Sequence, residues 1–172
     1  MSDDSTFSAA VADHVRKHPE VSSIEDVITF RLRRLVAIGE KAGQQWSERL
    51  FDLKLNEWRL LALIVAHAPA RASDMADLLF MDKSQMSRVI KALEGKDLIK
   101  NANDPKDGRA NALKPTGKGK KTYASVMDEV MRSNERVLAP LSLEEVQAFD
   151  VMLEKLTQHC WMQGWPKRCD CP

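Results

Sequence analysis

The residues best suited to chemistry lie close together: Lys83, Ser84, Gln85, Ser87, Arg88 and Lys91. On a helix, Ser84, Ser87, Arg88 and Lys91 share one face, three, four and seven positions apart, while Met86, Val89, Ile90 and Leu93 form the inner one. Hydroxyl, carboxamide, ammonium and guanidinium groups gathered in this way make a hydrogen-bonding surface. Arg bonds guanine in two places, Gln does the same with adenine, and Ser hydroxyls reach phosphates or bases. A helix with small polar and basic groups outside fits a major groove roughly 12 Å wide. A second basic point follows in Asp104-Pro105-Lys106-Asp107-Gly108-Arg109, where Lys106 and Arg109 tip a turn and an Arg can enter a narrow minor groove.

Charge supports the same reading. The chain of 172 residues has a net charge of +1, but residues 83–121 hold eleven Lys and Arg against four Asp and Glu. That local excess of +7, with −6 on the remainder, is the footprint of a polyanion-binding face. Catalysis has no such support. Histidines 14, 18, 67 and 159 show no metal spacing, and there is neither a phosphate-binding glycine loop nor a nucleophile motif, so no enzyme, cofactor or metal is expected. Cys160, Cys169 and Cys171 fall in the last 13 residues and cannot brace the fold, although a redox or metal response through them is an alternative. The acidic start lacks a signal sequence and no run is long enough to span a membrane, which predicts a cytoplasmic protein with no membrane partner.

The elements that must position these groups are mostly helical. Residues 1–22 read as a loose arm, with a short helix over Phe7 to Arg16. From Ile24, apolar residues recur every three or four positions to Trp46, predicting one long amphipathic helix. Asn56 is placed to cap a buried helix that Pro69 stops, and Ser73 to cap a short one ending at Leu79. Asp82 with Gln85 forms a capping box for the helix bearing the polar face. Strand-like pieces at 98–101 and 110–113 predict a hairpin; Thr116 then caps a long helix, and Ser142 with Glu145 opens a last one to Cys160.

The runs Asp82 to Glu94, Asp104 to Arg109 and Thr116 to Gly119 resemble the MarR family of bacterial regulators, closely over 56–120. The resemblance implies a mainly α fold with a small β-hairpin wing, a winged helix-turn-helix with a helical dimerisation region. It also implies a homodimer on a palindromic operator of double-stranded DNA, commonly a repressor released by a small ligand. Ser84, Gln85, Ser87 and Arg88 match the family's recognition helix and Arg109 its wing arginine, oriented by Asp107. The family's ligand pocket has Arg34, Trp46, Trp58, Arg59 and His67 in comparable places here, a set suited to an aromatic carboxylate. Three residues depart from the pattern: Asp97 for Gly, Asn101 for Arg, and Pro115 for Leu, the last predicting that its strand ends early.

The expected organisation is therefore an arm at 1–22, a dimerisation helix at 23–55, a DNA-binding domain at 56–115, dimerisation helices at 116–160 and a tail at 161–172. Pairing of two copies is also expected on physical grounds, because the first and last helices carry apolar stripes too long for a lone helical core to cover. A helix-turn-helix used only for protein contacts is the remaining alternative.

Overall fold

The computed structural model describes residues 21–103 and 111–164. The rest of the arm, the turn holding Lys106, Asp107 and Arg109, and the segment holding Cys169 and Cys171 lie outside the described residues. The chain divides into two compact units, one ending at Asn56 and the other starting at Glu57.

In the first unit, Ser23 caps a 3-10 turn, Ile24–Asp26. Asp26 accepts from the Ser22 hydroxyl at 2.8 Å and from the Ser22 and Ser23 amides at 3.1 Å each. Val27 is extended, at ψ 121, so the single helix expected from Ile24 is interrupted and α1 spans Ile28–Phe51. Its Ile28, Leu35, Val36 and Ile38 are exposed, whereas Trp46 is buried and meets Phe51 edge to face at 6.1 Å. The next helix, α2, spans Leu55–His67. Asn56 is therefore inside its first turn instead of capping it, and the Leu55 amide is satisfied by Gln44 Oε1 at 2.9 Å.

The second unit continues through β1 (Ala70–Arg71), α3 (Ala72–Leu79), α4 (Lys83–Gly95), β2 (Ile99–Asn103), β3 (Asn111–Pro115), α5 (Gly117–Leu138) and α6 (Leu143–Met162). The sheet is antiparallel in the order β1-β3-β2, so the predicted hairpin gains a third strand. Two residues with no alternation give no strand signal; β1 exists because Ala70 and Arg71 pair with Leu113 and Ala112. The cap position of α3 falls at Arg71, two residues before the predicted Ser73, whose hydroxyl bonds Asp74 Oδ1 at 3.0 Å instead. Trp161 and Met162 extend α6 beyond the predicted end at Cys160.

Pro115 does not shorten β3. It pairs with Ile99, and the flanking bond from the Thr116 amide to Leu98 O, at 3.0 Å, makes this a pair with no direct hydrogen bonds. The missing N–H would have pointed to the other edge, where β1 pairs no further than Leu113, so its absence leaves no ladder bond unmade.

The core of this unit gathers Leu60, Leu61 and Ile64 of α2, Met75 of α3, Met86 and Leu93 of α4 and Val126 of α5, all buried. Each such Leu or Ile contributes roughly 2 kcal/mol through the apolar surface it removes from water. That burial fixes which side of α4 turns inward.

Candidate nucleic-acid interface

Burial splits α4 as its periodicity requires. Met86 and Leu93 are buried and Val89 and Ile90 half-buried, while Lys83, Ser84, Gln85, Ser87, Arg88 and Lys91 are all exposed. Six polar or basic side chains thus stand on the outer side of a helix of 13 residues. The phase of that side is set at its start by the capping box. The Gln85 amide donates to Asp82 Oδ1 at 2.7 Å and the Asp82 amide donates to Gln85 Oε1 at 3.1 Å. Gln85 Oε1 is therefore engaged in the cap, leaving its Nε2 as the outward donor; the two-point bond to adenine expected of it would need that oxygen as well.

At its other end α4 closes in a Schellman motif. The Leu98 amide donates to Leu93 O at 3.0 Å and the Asp97 amide to Glu94 O at 2.9 Å, with Asp97 left-handed at φ 57. Asp tolerates this conformation where glycine is usual, as the sequence predicts. Leu93 and Leu98, both buried, complete the motif. Three further bonds hold this end in place. Lys96 Nζ lies 3.0 Å from Glu57 Oε2, Lys118 Nζ donates to Lys96 O at 2.7 Å, and the Thr116 hydroxyl donates to Asp97 O at 2.7 Å. Thr116 also accepts from the Gly119 amide at 2.9 Å, capping α5 as expected. A Cβ on Gly119 would sit 1.9 Å from Leu98 O, so only glycine lets α5 start this close.

Sequence reasoning missed the bond that ties α4 to the sheet: Asn101 Nδ2 of β2 donates to Glu94 Oε1 of α4. The signal is Asn101 itself, which stands where the resemblance has Arg. Lys106 and Arg109 fall between β2 and β3, outside the described residues.

The residues expected to meet a small ligand fall on both units and are described within each. In the first unit Arg34 is exposed on α1 and Trp46 is buried. In the second, Arg59 lies over the Trp58 ring at 5.8 Å from its centroid, both half-buried, while His67 is exposed at the end of α2. Cys160 is half-buried, and no group of three or more His, Cys, Asp or Glu among the described residues is arranged to hold a metal. No helix of the described residues is long and apolar enough to cross a membrane.

Two short helices supporting a third, followed by a hairpin, form a winged helix-turn-helix, the fold of a DNA-binding regulator. The sequence profile of the MarR family matches residues 51–110. Over 138 residues the chain is 29% identical to the uncharacterised HTH-type transcriptional regulator YxaD of Bacillus subtilis (strain 168), covering 80% of this chain and 93% of that one. The S. aureus MepR–DNA complex shares its fold at a TM-score of 0.70, with 22% identity and coverage of 80% of this chain and 99% of that one. The PcaV regulator of Streptomyces coelicolor, in complex with its natural ligand, does so at 0.64, with 20% identity over 81% of this chain and 98% of that one. Residues 51–110 thus match the MarR family, and the likenesses of the chain in sequence and in fold are to transcriptional regulators.

Proposed function

We propose that this chain is a MarR-family transcriptional regulator, a repressor that binds a nearly palindromic operator as a homodimer in the cytoplasm and leaves it when a small ligand binds. In this reading Lys83, Ser84, Ser87, Arg88 and Lys91 meet the major groove, Gln85 contributes through Nε2, and Lys106 and Arg109 lie along the backbone and minor groove. The observation that carries it is the exposure of the whole polar side of α4 while its apolar side is buried. Lys83, Arg88 and Lys91 suit phosphates and guanine edges, and MepR, of the same fold, is found on DNA.

Dimerisation through 23–55 and 116–160 is supported by the apolar residues that those segments leave exposed. They include Leu35, Val36 and Ile38 on α1 and Val151, Met152 and Leu156 on α6. A twofold pair would match two half-sites about one helical turn apart. For the ligand, an aromatic carboxylate is proposed on the strength of Arg34, Trp46, Trp58, Arg59 and His67, with Arg59 stacked over Trp58 as the cation beside an aromatic surface. PcaV, of the same fold, is found in complex with its natural ligand, which supports a ligand for this chain as well.

Two experiments test these points. A mobility shift on DNA selected by the protein, run at low and physiological salt, should show binding that weakens steeply with salt; salt-independent binding would contradict phosphate contacts. Calorimetry across a panel of aromatic carboxylates should give heat with at least one of them, and no heat with any would remove the ligand assignment.

A further inference from the structure

The helix preceding α4 also ends in a Schellman motif, with the Met81 amide on Ala76 O at 2.9 Å and the Phe80 amide on Asp77 O at 3.3 Å. Its left-handed residue is Phe80, at φ 52 and ψ 39. This conformation presses Cβ towards the following carbonyl, which is why Gly is preferred there and Asp or Asn is tolerated. Among the described residues the other non-glycine cases are Asp52 and Asp97. A benzyl group has no local hydrogen bond to offer in return, and Phe80 is not held by a core, being 65% exposed.

What the ring does meet is Trp161. The two aromatic planes stack with centroids 6.1 Å apart and 18° between them, and Trp161 is itself 53% exposed. Trp161 is the penultimate residue of α6, so the indole is carried on a rigid support. Stacked aromatic pairs at such spacing attract beyond the area they bury.

The location of Phe80 gives the contact its consequence. Only Met81 separates it from Asp82, whose carboxylate caps α4. Any change in the Phe80 dihedrals moves that cap and turns Ser84, Ser87 and Arg88 together about the helix axis, since the cap fixes where the helix begins.

We infer that Trp161 is a positioning residue for the recognition helix, acting through Phe80: its indole holds the left-handed turn from which α4 starts. This rests on the proposed reading of α4 as the DNA-contacting helix. It also gives the end of α6, a helix of the proposed dimer region, a direct mechanical hold on the DNA-reading face.

The test uses the full chain with Trp161→Ala, Trp161→Phe, Phe80→Gly and, as a control on the underlying reading, Arg88→Ala. Affinity is measured for selected operator DNA and for an unrelated duplex of equal length. Phe80→Gly should melt no lower than wild type, because Gly is at home at this φ, yet both it and Trp161→Ala should lose operator affinity about three- to tenfold. Both should lose less on the unrelated duplex, and Trp161→Phe, which keeps a stacking ring, should retain the operator preference. A merely structural contact would instead lower melting and leave that preference alone. Hydrogen exchange without DNA gives a second readout, with the Met81 and Gln85 amides exchanging faster in Trp161→Ala. Unchanged operator preference in Phe80→Gly and Trp161→Ala, or unchanged exchange at those amides, overturns the inference while leaving the reading of α4 intact. If Arg88→Ala is silent, that reading has failed instead, and the exchange result still decides whether Trp161 holds the turn.

Discussion

Glu57 Oε2 lies 3.0 Å from Lys96 Nζ, joining the start of α2 to the residue that ends α4. Glu57 is 5% exposed, so its carboxylate is hidden from water and depends on protein partners, while Lys96 is partly exposed. The pair acts as a strut: it fixes the far end of α4 against α2, while the Asp82 cap fixes the near end.

Removing the cation should therefore cost more than its partial exposure suggests, because a buried acid loses a charged partner. Lys96→Met is expected to lower stability by about 1–3 kcal/mol, read from urea unfolding. Glu57→Gln, which leaves no buried charge behind, should cost less. Equal stability of Lys96→Met and wild type would show the strut to be idle.

Gly119→Ala tests a close backbone approach in the unit. With the new Cβ placed 1.9 Å from Leu98 O, α5 must move away from the end of α4. A loss of about 1–3 kcal/mol or more is expected, together with weaker operator binding as Thr116 and Lys118 lose their hold on Asp97 and Lys96. Gly39, whose Cβ would meet no atom within 4 Å, should accept Ala without loss and serves as the control.

Acid should loosen the entry to α1 first. The Asp26 carboxyl is held below its ordinary value, chiefly by the Ser22 hydroxyl and then by the Ser22 and Ser23 amides, with Arg31 adding a smaller attraction. Because the folded value is depressed, the stabilisation is present above the ordinary carboxylate pKa of about 3.9 and disappears as pH falls through the lower folded value. The protection of the Ser22 and Ser23 amides against exchange, relative to their intrinsic rates and followed downward from neutral pH, should fall in that acid range. In Asp26→Asn the same amides should be less protected at neutral pH and show no such transition; a transition that persists in Asp26→Asn would assign it to another group.

Much of this arrangement is legible in the sequence, because side-chain caps and periodicity are local. Asp82 with Gln85, Thr116, and Ser142 with Glu145 mark helix starts that the structure confirms. The alternation of Met86 and Leu93 with polar neighbours gives the buried side of α4. What was hidden depends on partners distant in the chain. β1 is a strand only through Leu113 and Ala112, the start of α2 is satisfied by Gln44, and the effect of Pro115 depends on which edge its nitrogen faces. Phe80 illustrates the same limit more strongly. Nothing nearby in the sequence signals a left-handed turn at a phenylalanine, since the ring that meets it comes from position 161.

The wing residues make a separate prediction through their charge. Arg109→Ala should weaken binding to all sequences evenly and reduce the salt slope by about one unit, as the loss of a phosphate contact does. A selective loss at one base position would instead make Arg109 a base reader.

The central claim is that the outward side of α4 reads base sequence, and Arg88→Ala tests it most directly. Titrating wild type and Arg88→Ala against selected operator DNA and a set of single-base variants should show a loss of roughly 1–3 kcal/mol on the operator. Discrimination should be relaxed at one base position in each half-site. Identical affinity and identical discrimination by the two proteins would contradict the account.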